Sequence, residues 1–255
     1  MKKFLLGAAG LIAAMSMAAP ASAADMAVPY KAPSPMIAAI YDWSGFYLGL
    51  NGGGGSARKC WDISNNLGAP VVPNFREGCH DATGGMAGGQ IGFRWQSAAW
   101  VFGIEAQGDW ANFKGSNASA FPFAFAATNQ TKINGLGLLT GQVGYAWSNV
   151  LFYVKGGGAV VSDRYRGIVT ATGAYFDQAD ENRWGGVVGA GVEVGFAPNW
   201  SVAFEYDHLF MGNRNIQMTS TVTGVLSRWD NIKQDVDLGQ VRVNYRWGGP
   251  VIAKY

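Results

Sequence analysis

Charge is scarce in this chain: Asp, Glu, Lys and Arg make up 14% of its 255 residues, well below the ~25% of ordinary soluble domains. Histidine and cysteine each occur only twice. After residue 23 there is no run of the ~18 uncharged apolar residues that a membrane helix requires. Basic clusters are also missing, and nucleic-acid binding needs them. What is plentiful is apolar surface and small residues: 49% hydrophobic, 13% aromatic, 37 glycines and 10 tryptophans. The chain is greasy yet has no helix to place in a membrane.

Lys2 and Lys3 followed by an apolar stretch from Phe4 to Met17 and the triplet Ala21-Ser22-Ala23 form the pattern of a secretory signal peptide, residues 1–23. That segment carries two lysines and no acid, so a formal charge of +2 becomes zero without it. Export implies an oxidising compartment, where Cys60 and Cys79, bracketing a polar Gly/Pro/Asn segment, are expected to close a loop as a disulfide. Two Cys and the adjacent His80 supply too few clustered ligands for a structural zinc. Residues 24–42, ADMAVPYKAPSPMIAAIYD, are Pro-spaced and small, the composition of a flexible linker on the periplasmic side.

From Trp43 onward the pattern changes. GQIGFRW at 89–95 returns as GQVGYAW at 141–147, EVGF at 193–196 and QVRVNYRW at 240–247, a repeat with a period of about fifty residues. A tight turn follows each of the first three copies, and then a second alternating strand leaves: 100–110, 150–160 and 200–210. The far ends of these strands are joined by long polar stretches, 56–83, 111–130, 163–182 and 212–232, expected to be loops. Strands of ~10 residues with short turns at one end and long connections at the other are the pattern of an outer-membrane barrel. The fold expected is all-β, an eight-stranded antiparallel up-and-down transmembrane β-barrel over residues 43–247.

The two faces of these strands separate this fold from a soluble barrel or sandwich, which buries apolar residues inside. One face carries Ile91, Phe93, Phe102, Val143, Tyr145, Phe152, Val192, Phe204, Val243 and Tyr245. The other carries Gln90, Gly92, Arg94, Glu105, Gln142, Lys155, Glu193, Glu205, Arg242 and Asn244. Glycine, glutamine and charge do not make a soluble core, but they can line a narrow barrel whose bulky face meets lipid. Tryptophans gather at strand ends as expected of an aromatic girdle: Trp43, Trp95, Trp100, Trp147, Trp200 and Trp247 near the short turns, Trp110 and Trp184 near the long connections. Inside, the polar band Gln90, Arg94, Glu105, Gln142, Lys155, Glu193, Glu205 and Arg242 is expected to pair Lys155 with Glu193 and Glu205 with Arg242, with Glu105 reaching Arg94 diagonally. Such pairing offsets the cost of desolvating charge. It makes either a salt-bridged plug or the constriction of a narrow pore.

Catalysis is not expected, and no cofactor or metal is implied. Asp207 and His208 are neighbours in a strand and point to opposite faces, and neither histidine has an evident nucleophile and orienter. The glycine runs at 52–55 and 156–158 lack the Lys-Ser/Thr and helix of a phosphate cradle.

The segments WSGFYLGLNGGGG, 43–55, and NYRWGGPVIAKY, 244–255, resemble the alphaproteobacterial outer-membrane surface-antigen barrels, porin-like proteins of the OmpA and OmpX eight-stranded type. Trp43, Gly45, Phe46, Tyr47, Gly49 and Asn51 fit that family's opening motif. The resemblance implies an envelope or surface protein of the cell outer membrane with four extracellular loops. Some members of such families are described as pores and others as hemin binders or surface antigens. The alternatives are therefore a small-solute porin and a surface receptor or adhesin for hemin or a host ligand. His80, Tyr165 and Tyr175 are the residues available to hold hemin. The partners implied are outer-membrane lipid and lipopolysaccharide, the barrel-assembly machinery and an extracellular ligand that the loops do not name. Pro250 cannot donate to a ladder, so residues 248–255 are expected to form a short tail; the alternative is an extension of the last strand, since Val251, Ala253 and Tyr255 keep the outward parity.

Overall fold

The computed structural model describes residues 41–247. The expected signal peptide, the linker up to residue 40 and the tail 248–255 lie outside the described residues. Eight antiparallel strands close into a ring in chain order: β1 Gly45–Asn66, β2 Ala69–Ser97, β3 Trp100–Ala118, β4 Ala127–Trp147, β5 Val150–Val169, β6 Tyr175–Ala197, β7 Trp200–Ser220 and β8 Leu226–Trp247. Strand β8 returns to pair with β1 along nearly its whole length, so no edge is left open.

The strands are much longer than the expected ten residues, 19 for β3 and 29 for β2. A 22-residue strand such as β8 extends on the order of 70 Å, against ~30 Å of hydrocarbon. Even with tilt, about half of each strand leaves the belt. The segments 56–83, 111–130, 163–182 and 212–232 are therefore mostly strand, and only 67–68, 119–126, 170–174 and 221–225 stay outside the ladder at the far end. At the tip of β1–β2, Leu67 and Gly68 both take positive φ, 51° and 87°, as a tight hairpin turn of the primed kind demands. Cys60 and Cys79 do form a disulfide, but it is a rung between directly opposed residues of β1 and β2, within a paired hairpin rather than at the base of a free loop.

The long segments read as loops because their outward residues meet water rather than lipid. Within the belt, Phe46, Leu48, Ile104, Leu139, Val154 and Phe204 stand exposed on the outer face. Beyond it the apolar residues turn inward: Ala57, Phe113, Ile133, Leu136, Val161, Val187, Leu209 and Val236 form one buried cluster, and Trp61, Tyr165, Ile216, Met218 and Ile232 another above it. The parity of β4 is shifted at the transition by a bulge between Ile133 and Gly135. That shift keeps Leu136 and Ile133 both inside.

Candidate functional site

The interior is stacked in layers, and the first lies at the turn end. There Trp43 is buried with Val101, Leu151 and Tyr153, with Tyr41 packed against them. The Arg246 guanidinium lies 4.5 Å from the Tyr41 ring. Trp43 was expected on the girdle; it is instead inside, because it precedes the strand and folds under the mouth. Its backbone N–H donates to Gln96 Oε1 at 2.9 Å. The other seven girdle tryptophans, Trp95, Trp100, Trp110, Trp147, Trp184, Trp200 and Trp247, are exposed on the outer face.

All eight residues of the expected polar band are buried inside the ring. Glu205 meets Arg242 as the sequence suggests, but the other two expected pairs are replaced. Lys155 reaches Glu205 at 2.6 Å, Asp207 at 3.2 Å and Glu105 at 3.8 Å. Glu193 pairs with Arg94 at 2.8 Å and also accepts from Ser201 and Asn244. Glu105 takes the other arm of Arg242 and the Tyr47 hydroxyl at 2.6 Å. The other two neighbour pairings give way because a ring of eight strands is narrow. Long side chains meet across the axis, joining β2 to β6 and β8 to β3. Gln142 accepts twice from Arg94, and Gln90 links Asn51 to Asn244.

A unit missed in the sequence occurs twice here. Tyr47 on β1 donates to Glu105 on β3, and Tyr153 on β5 donates to Glu205 on β7 at 2.5 Å. Each ring lies flat on a glycine of the next strand: a Cβ added at Gly92 would meet Tyr47 at 2.4 Å, and one at Gly191 would meet Tyr153 at 2.5 Å. The signal was present as the Phe-Tyr pair repeated at 46–47 and 152–153. Arg94 sits between the two rings, 4.5 and 5.5 Å from their centroids.

Above the apolar layer lies a second polar cluster, on strand extensions read as loops. Lys59 pairs with Asp163 at 2.7 Å with both side chains fully buried. Burial pulls the Lys59 ammonium down to about 8, against the pull of Asp163. Near the far mouth Arg228 joins Glu77 at 2.7 Å, Asp177 at 2.9 Å and Asp230 at 3.2 Å, and donates to Asn129 at 3.0 Å. Desolvation raises Asp177 and raises Asp230 far more, with Arg228 opposing in each. Phe123 and Phe176 cover the guanidinium at 5.3 and 5.5 Å.

A family model described as an outer membrane protein beta-barrel domain matches residues 9–247. The chain belongs to that family. The 31 kDa outer-membrane immunogenic proteins of Brucella melitensis and Brucella suis are each 29% identical to this outer-membrane barrel over 226 residues, covering 85% of this chain and 90% of theirs. The outer membrane protein OprG from Pseudomonas aeruginosa superposes with a TM-score of 0.52 at 10% identity, covering 82% of this chain and all of that one. This likeness speaks for the fold alone. The cell outer membrane is the protein's location.

The residues considered for hemin are not brought together in this barrel. His80 points inside, with Nδ1 2.7 Å from Asn117 Oδ1 and Nε2 3.1 Å from Thr131 Oγ1, and burial lowers its pKa. Tyr165 is wholly buried beside Lys59, while Tyr175 is exposed under Arg166. Asp207 faces in and His208 out, as strand parity required. His208 does have a partner the sequence did not suggest: Asp237 on β8, opposite it in register, 2.7 Å from Nδ1 and also bound by the Tyr206 hydroxyl.

Proposed function

We propose that the protein is a closed surface-display barrel: its interior holds the fold together, and its far end, facing outward from the cell, is the working part. The observation that carries this reading is Arg242, whose guanidinium bridges Glu105 and Glu205 from opposite sides of the lumen while Lys155 completes the knot. Apolar layers lie on both sides of this knot, and Arg228 with its phenylalanine cover stands at the far mouth. Opening a path would strand buried charge, which costs several kcal/mol per ion. The immunogenic relatives fit a role at the cell surface.

The test is conductance. The full chain refolded into planar bilayers is expected to give no steady current, and liposomes containing it should not swell in small sugars. Steady current or swelling from the wild-type protein would replace this reading with a small-solute porin. In the same assay Glu105→Ala should destabilise heat-modifiable folding; folding left intact with a new current would mean that the band acts as a gate.

A receptor or adhesin role is favoured by one further observation. Residues 63–75, 115–131, 167–176 and 215–227, which make the far-end tips, contain no Asp, Glu, Lys or Arg, and Leu67, Val72, Phe125, Val222 and Val225 stand exposed there. Exposed apolar side chains on uncharged tips are available for contact with a partner. Serine at Val72, Phe125 and Val222 should abolish adhesion of intact cells if the tips make the contact and leave it unchanged if they do not.

A further inference from the structure

Between the lipid belt and the uncharged tips, the outer face of the ring carries its charges unevenly. On β1 and β8 they alternate in sign: Arg58 lies opposite Asp81 on one side and Asp235 on the other, and Lys233 is 3.7 Å from Asp235. On β3, β4 and β5 they do not. Lys114 is directly opposite Lys132, and Lys132 is directly opposite Arg164. Directly opposed residues of antiparallel strands stand ~5 Å apart at Cα, so three cations leave the sheet within about 10 Å. Like charges placed this way destabilise a sheet.

Neither lysine has a partner among the described residues to relieve this repulsion. Arg164 alone has one, Asp180 at 2.8 Å on β6. The height of the row suggests what supplies the missing anions. Lys114 is four positions past Trp110, the exposed tryptophan at the far edge of the belt, or on the order of 10 Å further along the tilted strand. Aromatic girdles mark the edge of the hydrocarbon, so the row stands at headgroup level. Directly below it on the same strands, Ile104, Leu139 and Val154 offer exposed apolar surface.

We propose that Lys114, Lys132 and Arg164 form a docking site for the phosphorylated headgroup of an outer-leaflet lipid whose acyl chains lie on the belt face of β3–β5. Charge complementarity selects the phosphate, and continuity with the belt selects a lipid over a soluble anion. The proposal rests on the outward orientation of the far end, which protease digestion of intact cells tests separately.

The full chain is refolded and titrated in detergent with bisphosphorylated lipid A, with the same lipid after enzymatic removal of its phosphates, and with inositol hexakisphosphate as a soluble polyanion. Wild-type protein should retain lipid A and release the dephosphorylated form. K114Q and K132Q should each weaken lipid A binding by about tenfold, whereas R58Q should not change it. Without lipid, K132Q should melt at or above the wild-type temperature because repulsion is relieved, and with lipid A it should melt below wild type. That reversal of sign is not expected of a merely damaged fold, and K114Q supplies the same test should K132Q refold poorly. Equal retention of both lipids, wild-type binding by K114Q/K132Q, or inositol hexakisphosphate binding as tightly as lipid A would each overturn the proposal.

Discussion

On β8, Val241, Val243 and Tyr245 point outward while Gln240, Arg242 and Asn244 point in; further along the same strand, Val236 and Ile232 point in while Asp235 and Lys233 point out. The backbone alternation continues without a break, and only the chemistry assigned to each face is exchanged. In the belt the outside is lipid, so apolar residues are there and polar groups collect around the axis. Beyond the belt the outside is water, so the interior becomes an ordinary apolar core that still holds ion pairs. The difference shows that these strands are two proteins in series, a membrane barrel and a water-exposed barrel, sharing one hydrogen-bonded wall.

If so, losing charge in the belt half should cost most, because no water and no apolar repacking can relieve it. Arg242→Met would leave Glu105 and Glu205 facing Lys155 alone. A loss of about 3–5 kcal/mol is expected, read as a lower urea midpoint for the heat-modifiable folded band. Adding Glu105→Gln should recover part of it. An unchanged midpoint would mean that the band is hydrated, and the contrast between the halves would disappear.

The far half should fail locally. The disulfide between Cys60 and Cys79, 19 residues apart, constrains an unfolded loop worth about 3 kcal/mol in the chain-entropy account. It ties only the extension of β1 to that of β2. Cys60→Ser with Cys79→Ser is expected to expose the far end to protease while the belt core keeps its heat-modifiable band. Simultaneous loss of both would show that the two halves fold as one unit.

How much of this the sequence discloses follows the same division. Ring closure, strand number and the outward belt were legible, because each strand in lipid carries a strict apolar/polar alternation. Asp207 and Gln240, buried beside Lys155 and Glu205, and Gln107, bonded to Gln240, were not singled out as members of the polar band. Partners within the band were not legible: Arg94 finds Glu193 across the lumen, and such contacts depend on barrel width rather than on position along the chain. The strand extensions were hidden for another reason. Segments such as RKCWDISNN, 58–66, alternate Lys59, Trp61 and Ile63 inward with Arg58, Cys60 and Asp62, so charge appears on both faces and the pattern looks like loop. Trp43 was misplaced because strand-end tryptophans usually meet headgroups, and nothing in its neighbours marks it as the one that turns under the mouth.

Proton uptake should also separate the halves at the far mouth. Burial raises Asp177 and Asp230 above the ordinary 3.8, so between that value and their raised ones the folded state holds more protons than the unfolded chain. Stability contributed there falls as pH rises through the raised range and grows on acidification. Protease protection of the far end should therefore increase as pH is lowered through the raised range, and Asp230→Asn should flatten the dependence. Protection that decreases in acid in the wild type would mean that the ion pairs of Arg228, rather than desolvation of its acids, govern the mouth.

The smallest effect is expected where the two halves are most alike on paper. Lys59–Asp163 and Arg94–Glu193 are both buried pairs, at 2.7 and 2.8 Å. Lys59 lies over the ring of Tyr165, a member of the apolar cluster with Trp61 and Ile232, and donates to its hydroxyl at 3.3 Å; its ammonium is already weakened by burial. Replacing the pair with Lys59→Met and Asp163→Leu should change stability by no more than about 1 kcal/mol, in either direction, since well-packed apolar residues commonly equal a buried pair. The corresponding Arg94→Met and Glu193→Leu change should cost more, because it would also strand Gln142, Ser201 and Asn244, which those two side chains bind. Equal costs in the two halves would mean that the belt interior repacks as readily as a water-exposed core, and that lipid outside the wall does not determine what the wall tolerates inside.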